Sequence, residues 1–253
     1  MAFSSKEVKV GHKGCINSVD GSISERKLIA SGSDDKSIRI WDTRADRAVK
    51  CITRCFDSSV EAVRFSLDDE YILYAASGRS LFSFDMRTEG IIIKSPQMII
   101  DDAAIDDINA IAMESTGKHL AVADDAGVVT IVDLTKQNPR VSKRLERHSS
   151  LVNAIAFNPI DSRGLVSGGF DYQLCSWNLT YQGDKNCTVV DMSQLGNDKS
   201  DEFSTKSVNP PFVQCLSYVH NGKAIAVALG DGSVRLHFLK FSSLLQLTSC
   251  QLH

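Results

Sequence analysis

Leu28-Ile29-Ala30-Ser31-Gly32-Ser33-Asp34-Asp35, followed closely by Ile38-Arg39-Ile40-Trp41-Asp42, is the stretch whose reading decides the fold. Two short apolar runs flank a Ser/Gly/Asp turn, the pattern of an antiparallel hairpin. Gly11-His12 and the run from Ile16 to Val19 precede it. The same order returns as Arg147-His148, Val152 to Phe157, Gly164-Leu165-Val166-Ser167-Gly168-Gly169-Phe170-Asp171 and Leu174-Cys175-Ser176-Trp177-Asn178. Weaker copies close at Phe84-Asp85, Val132-Asp133 and His237-Phe238. The closing positions 41, 84, 132, 177 and 237 lie 43, 48, 45 and 60 residues apart. The first three gaps match the ~40–45-residue period of a four-stranded propeller blade. Such a unit cannot bury both faces by itself, so neighbouring units are expected to stack.

Gly-His, then Ser-x-x-x-Asp, then Trp-Asp or Trp-Asn resembles the WD40 repeat family. The resemblance implies an all-β propeller whose blades hold a buried His, Ser, Asp and Trp hydrogen-bond network. The matching residues are His12, Ser31, Asp35 and Trp41 in the first unit, and His148, Ser167, Asp171 and Trp177 in the fourth. Buried together, indole N–H, hydroxyl, imidazole and carboxylate satisfy one another, and each is costly if left unpaired. The third unit instead puts Ala126 and Val132 at the Asp and Trp positions, and the fifth keeps Asp231 but has Val227 and His237. The second has a short hairpin, Ala76-Ser77-Gly78-Arg79, with no acid. Apolar packing is expected to hold these three.

The expected architecture is a single all-β WD40 propeller domain over residues 1–253 with five four-stranded blade units. The repeats run about 10–44, 57–87, 105–135, 147–179 and 212–240, and a polar insertion at 183–209, expected as a mobile loop, accounts for the 60-residue gap. Outer strands are expected at Ala48 to Ile52, Ile91 to Lys94 or Met98 to Ile100, Val141 to Leu145, and Thr188 to Met192. Two segments compete to be the fifth outer strand, Glu7 to Val10 and Leu244 to Thr248, so one is surplus. Seven blades would need about 300 residues. The expectation is therefore an incomplete seven-bladed propeller rather than a five-bladed ring.

Composition narrows the function classes. Hydrophobic residues make up 43% and charged residues 23%, which excludes wholesale disorder. A net charge of −3 argues against a broad nucleic-acid or anionic-membrane footprint. No apolar run reaches the ~18 residues of a membrane span, and Met1 to Val10 lacks a signal-like apolar region. Seven scattered cysteines without C-x-x-C read as reduced thiols, so a cytoplasmic or nuclear setting is expected. No phosphate loop, nucleophile elbow or metal-binding histidine spacing occurs, so neither catalysis nor a cofactor or metal is expected. Some five-bladed propellers are glycosidases with paired carboxylates. Asp34-Asp35, Asp101-Asp102 and Asp124-Asp125 were weighed in that light, but the first and last pairs fall in hairpins, where Asp makes turns.

Asp42-Thr43-Arg44 and Asp85-Met86-Arg87 occupy equivalent places after the third strand of consecutive units. In the WD40 family such D-x-R endings mark many substrate receptors of cullin-4 RING ubiquitin ligases, the arginine contacting the ligase adaptor. The resemblance thus implies a non-enzymatic scaffold with two protein partners, a ligase adaptor and a substrate. A peptide-binding adaptor unrelated to ubiquitin and a glycosidase are the alternatives. Lys136, Arg140, Lys143, Arg144 and Arg147 read as a solvated edge that discourages strand pairing.

Overall fold

The computed structural model describes residues 11–23, 27–45, 47–135, 138–181, 186–194 and 209–239. Every regular element among them is a strand, β1 to β20 in chain order, arranged in five sheets that we call blades one to five. Blade one is built from β1 (Ile16–Gly21), β2 (Leu28–Ser33), β3 (Ser37–Asp42) and β4 (Ala48–Thr53), each antiparallel to the next. Blade two holds β5 (Ala62–Phe65), β6 (Ile72–Ser77), β7 (Ser80–Asp85) and β9 (Met98–Ile100). Blades three and four are β10 (Ile108–Met113) to β13 (Arg140–Glu146) and β14 (Val152–Phe157) to β17 (Cys187–Asp191), with β16 spanning Gln173–Asn178. Blade five has three described strands, β18 (Val213–Val219), β19 (Ala224–Leu229) and β20 (Val234–Phe238).

The two expected positions for the second outer strand are thereby separated. Met98–Ile100 pairs with β7, whereas β8 (Ile92–Ile93) crosses to blade one and adds to β4 as a short parallel fifth strand. The outer strand of blade four, expected at Thr188 to Met192, is Cys187–Asp191, which lies within the 183–209 insertion. Residues 195–208 of that insertion lie outside the described residues, as do both claimants for the fifth outer strand, 7–10 and 244–248.

Four apolar cores join the blades in series. Ile38, Ile40 and Ile52 of blade one pack with Phe65, Leu73 and Phe82 of blade two, and equivalent clusters join two to three, three to four and four to five. Among the described residues no such core joins blade five to blade one, so these sheets form an open series. The two terminal faces show this in their exposed apolar side chains. Ile16 and Val19 of β1 are 52% and 62% exposed, and Val234 and Phe238 of β20 are 71% and 69% exposed.

Polar contacts set the spacing of the inner strands. A bulge interrupts the first strand pair of blades one, three, four and five, and the extra residue is Gln214 in blade five and Asn17, Asn109 or Asn153 in the others. Each Nδ2 donates to a backbone carbonyl on the next blade, respectively Val60, Val152 and Gln214. Gly32 and Gly168 mark the same repeat position, and a Cβ on Gly32 would come within 2.7 Å of Val60. Glycine is required there because the next blade approaches the backbone too closely for any side chain.

Candidate partner-binding edge

The site begins with what anchors the end of each third strand. In blade one the Trp41 indole N–H donates to Ser31 Oγ at 2.8 Å, and that oxygen lies 2.8 Å from His12 Nε2. His12 Nδ1 faces the Asp35 carboxylate at 3.0 Å, which also accepts from the Lys13 N–H and the Ser37 hydroxyl. The consistent assignment is a chain: indole N–H to hydroxyl, hydroxyl to Nε2, and Nδ1–H to carboxylate. Blade four repeats it with Trp177, Ser167, His148 and Asp171 at 2.8, 2.8 and 3.0 Å. Desolvation opposes ionisation of Asp35, but hydrogen bonds from Ser37, Lys13 and His12 prevail and hold its carboxyl at about 2. Asp171 is held below the usual carboxylate range in the same way, chiefly by His148. Ser37 was not among the expected members; its place two residues after the Asp, at the start of β3, was the available signal.

The other blades replace this chain. Blade two puts Phe84 at the Trp position, Ala75, which pairs with Phe82, at the Ser position, and Phe56 at the His position. Phe56 stacks edge-on against Phe82 and Phe84 with ring centres 5.1 and 5.7 Å apart. In blade three Asp124 is fully buried and accepts from the N–H groups of Val128 and Ile105. In blade five, burial lowers the pKa of His237 at the Trp position, and its Nε2 has no partner among the described residues. The hairpin carboxylates weighed for catalysis have structural contacts: Asp34 and Asp125 accept from Asn17 and Asn109.

Directly after β3 and β7 come the D-x-R endings. Asp42 Oδ1 accepts from the Arg44 N–H at 2.9 Å, which closes a tight turn. The side chain then folds back so that Nε and Nη2 donate to the two carboxylate oxygens at 2.8 and 2.6 Å. Arg87 repeats the turn and the Nε contact on Asp85, both at 2.8 Å. It gains a second carboxylate, Asp69, at 3.1 Å, and lies 4.7 Å above the Tyr71 ring. The hydrogen bond from Arg87 holds Asp85 below the usual carboxylate range. Both guanidiniums stay exposed, at 67% and 52% of their side-chain surface. The acid thus fixes the direction of each arginine; it leaves the outer edge of Arg44 uncovered, whereas Asp69 takes part of that edge in Arg87.

Both endings lie at the same end of their blades. Thr43 N–H donates to Lys27 O and Met86 N–H to Tyr71 O, which ties each exit to the loop entering the second strand. A hollow of about 420 Å³ lies beside Asp42, lined by Ile16, Ile29, Trp41 and Ala45. Arg87 borders a polar groove of about 550 Å³ with Asp69, Tyr74, Met98 and Asn138. A third copy of the chelate sits at this end in blade four. Arg163 donates from Nε to Asp161 Oδ1 at 2.8 Å and from Nη2 to Oδ2 at 3.1 Å. Asp161-Ser162-Arg163 precedes the second strand rather than following the third, which is why a search confined to strand endings passes over it.

Five strand-built blades with two His-Ser-Asp-Trp chains define a WD40-repeat propeller fold, and the chain carries WD40 repeats. Residues 5–42 and 139–178 match the family model for the WD domain, G-beta repeat. The chain is similar to a WD repeat-containing protein 53 homolog of Dictyostelium discoideum, 27% identical over 96% of this chain and 69% of that protein. It is 32% identical to SEC12-like protein 2 of Arabidopsis thaliana over 58% of the chain and 37% of that protein. A guanine nucleotide-binding protein subunit beta of Nicotiana plumbaginifolia is 25% identical over 68% of the chain and 45% of its own length. Among the described residues no helix is long and apolar enough to cross a membrane.

Proposed function

We propose that the chain is a non-enzymatic scaffold that docks through Arg44 and Arg87 onto the adaptor of a cullin-4 RING ubiquitin ligase and presents a substrate protein to it. WD repeat proteins serve as protein-interaction scaffolds. What supports the finer reading is one observation: consecutive blades with unlike interiors present the same carboxylate-held, outward guanidinium at the same end. A planar guanidinium held in one orientation loses little freedom on binding, and its outer N–H groups can donate to adaptor carboxylates or carbonyls as a fork. The apolar hollow beside Asp42 offers a seat for an adaptor side chain next to Arg44. The Arg44→Ala/Arg87→Ala double variant, expressed in cells, is expected to lose co-purification of the ligase adaptor while keeping its strand-rich circular dichroism. Undiminished adaptor recovery would overturn the reading.

A further inference from the structure

The outer strands of blades one and three are built alike. Each has an extra residue, Val49 or Ser142, directly before a lysine that pairs with an isoleucine of the third strand, Lys50 with Ile40 and Lys143 with Ile131. Counting on from the lysine, Cys51 and Ile52 match Arg144 and Leu145. What lies beside the two strands differs. In blade one β8 runs parallel to β4, with Cys51 beside Ile92 and Ile52 beside Ile93, and the Cys51 N–H donates to Ile91 O at 2.8 Å. Lys50 Nζ holds the incoming chain by donating to the carbonyls of Thr88 and Gly90, and Ile93 is buried in one apolar cluster with Ile52 and Phe84. In blade three, β13 is the last strand of its sheet among the described residues.

A hollow of about 210 Å³ takes the place of β8 there. Leu145 and Trp177, the counterparts of Ile52 and Phe84, line it together with Cys187, Arg144, Glu146 and Arg147. Lys143 Nζ donates to the Leu179 carbonyl just after β16, as Lys50 does to Thr88 after β7. Arg144 holds the position of Cys51, and its exposed side chain donates to the Asp102 carbonyl at 3.3 Å. Among the described residues neither Arg140 nor Arg144 is ion-paired with a carboxylate.

We propose that the β13 edge is a docking groove for an extended, acidic segment of a partner protein, which adds to the sheet in parallel as β8 adds to β4. Backbone N–H and C=O groups of the edge supply the affinity common to any added strand, and side chains supply the choice. Directly opposed residues of a strand pair share a face, and successive residues alternate between faces. The residue beside Arg144 therefore meets a guanidinium, and the next one, beside Leu145, enters the hollow. An Asp or Glu followed by an aliphatic residue fits these two places. The basic charge that keeps like edges away selects this segment by its opposite sign. The groove belongs to blade three, so it does not rest on the role of the D-x-R endings in blades one and two.

Calorimetric titration of the full chain with an acetylated threonine peptide carrying a central Asp-Ile step tests this, with amide hydrogen exchange followed along β13. Saturable binding and slowed exchange of the β13 edge are expected. The Asn-Ile peptide is expected to bind several-fold more weakly, and a peptide with Pro in place of Ile, which cannot complete the strand, is expected not to bind. Arg144→Glu, at an exposed position outside the core, is expected to prefer a Lys-Ile peptide to the Asp-Ile one. Arg44→Ala/Arg87→Ala is expected to bind the Asp-Ile peptide as the unsubstituted chain does. Four results would each overturn the proposal: no binding of the Asp-Ile peptide, binding without slowed exchange along β13, an Arg144→Glu chain that still prefers Asp-Ile, or binding lost from Arg44→Ala/Arg87→Ala.

Discussion

Blades one and two reach the same ending through opposite interiors. In blade one Trp41 is tied through Ser31 and His12 to Asp35, a polar chain that must be complete to be stable. In blade two Phe84, Ala75 and Phe56 take the Trp, Ser and His positions, and the His12–Trp41 edge contact at 6.5 Å becomes a Phe56–Phe84 edge contact at 5.7 Å. Nothing polar remains to be satisfied, and the hairpin shortens to a turn around Gly78 and Arg79 without loss. Yet Asp42 with Arg44 and Asp85 with Arg87 adopt the same turn and the same Nε contact. The interior is thus exchangeable where shape is conserved, while the chelate is what the two blades share.

The comparison can be broken at its interiors first. Phe84 is fully buried in the core between blades one and two. Phe84→Ala is expected to cost about 3–5 kcal/mol, because it removes an aromatic ring and leaves a cavity. Chemical denaturation monitored by circular dichroism measures this directly. Ser31→Ala removes far less volume but strands the Trp41 N–H and His12 Nε2, so a loss of about 1–3 kcal/mol is expected. The matching change in blade two, Ala75→Ser, is expected to destabilise as well, since its hydroxyl would enter the apolar core that Ala75 shares with Phe82 and Phe84 and find no partner there. A stabilising Ala75→Ser would show that the two interiors are not built on different rules.

A smaller effect separates the blades by pH. Asp35 sits at about 2 when folded against an ordinary 3.8. A depressed carboxyl contributes stability above its unfolded value and loses it as pH falls through the folded one. The chain is therefore expected to lose stability between about pH 4 and pH 2 more steeply than Asp35→Asn, whose side chain does not titrate. Parallel midpoint curves for the two would show that the Asp35 contacts do not act through its charge.

Much of this was legible in the sequence because blade repeats are local. Alternation of short apolar runs with Ser/Gly/Asp turns located nearly all inner strands, and the spacing of His12, Ser31, Asp35 and Trp41 located a network. What the sequence concealed depends on contacts between blades. Ile92–Ile93 joins blade one because Lys50 reaches the carbonyls of Thr88 and Gly90 and Cys51 N–H bonds to Ile91 O, none of which is a local signal. The side-chain contacts of Asn17, Asn109 and Asn153 depend on a carbonyl of the neighbouring blade. The likeness of the β4 and β13 edges emerges only through strand register, since the sequences around Lys50 and Lys143 have little else in common. The Phe56–Phe84 replacement was missed for another reason: it has the right spacing but none of the expected residue types.

The central claim is that a held guanidinium, rather than charge alone, is what the first two blades present. Titration of the purified ligase adaptor against Arg44→Lys/Arg87→Lys tests it most directly, because lysine keeps the charge and loses the fork. The account predicts an affinity at least about tenfold weaker than that of the unsubstituted chain, with unfolding midpoints unchanged. Equal affinity of the two proteins for the adaptor would contradict it.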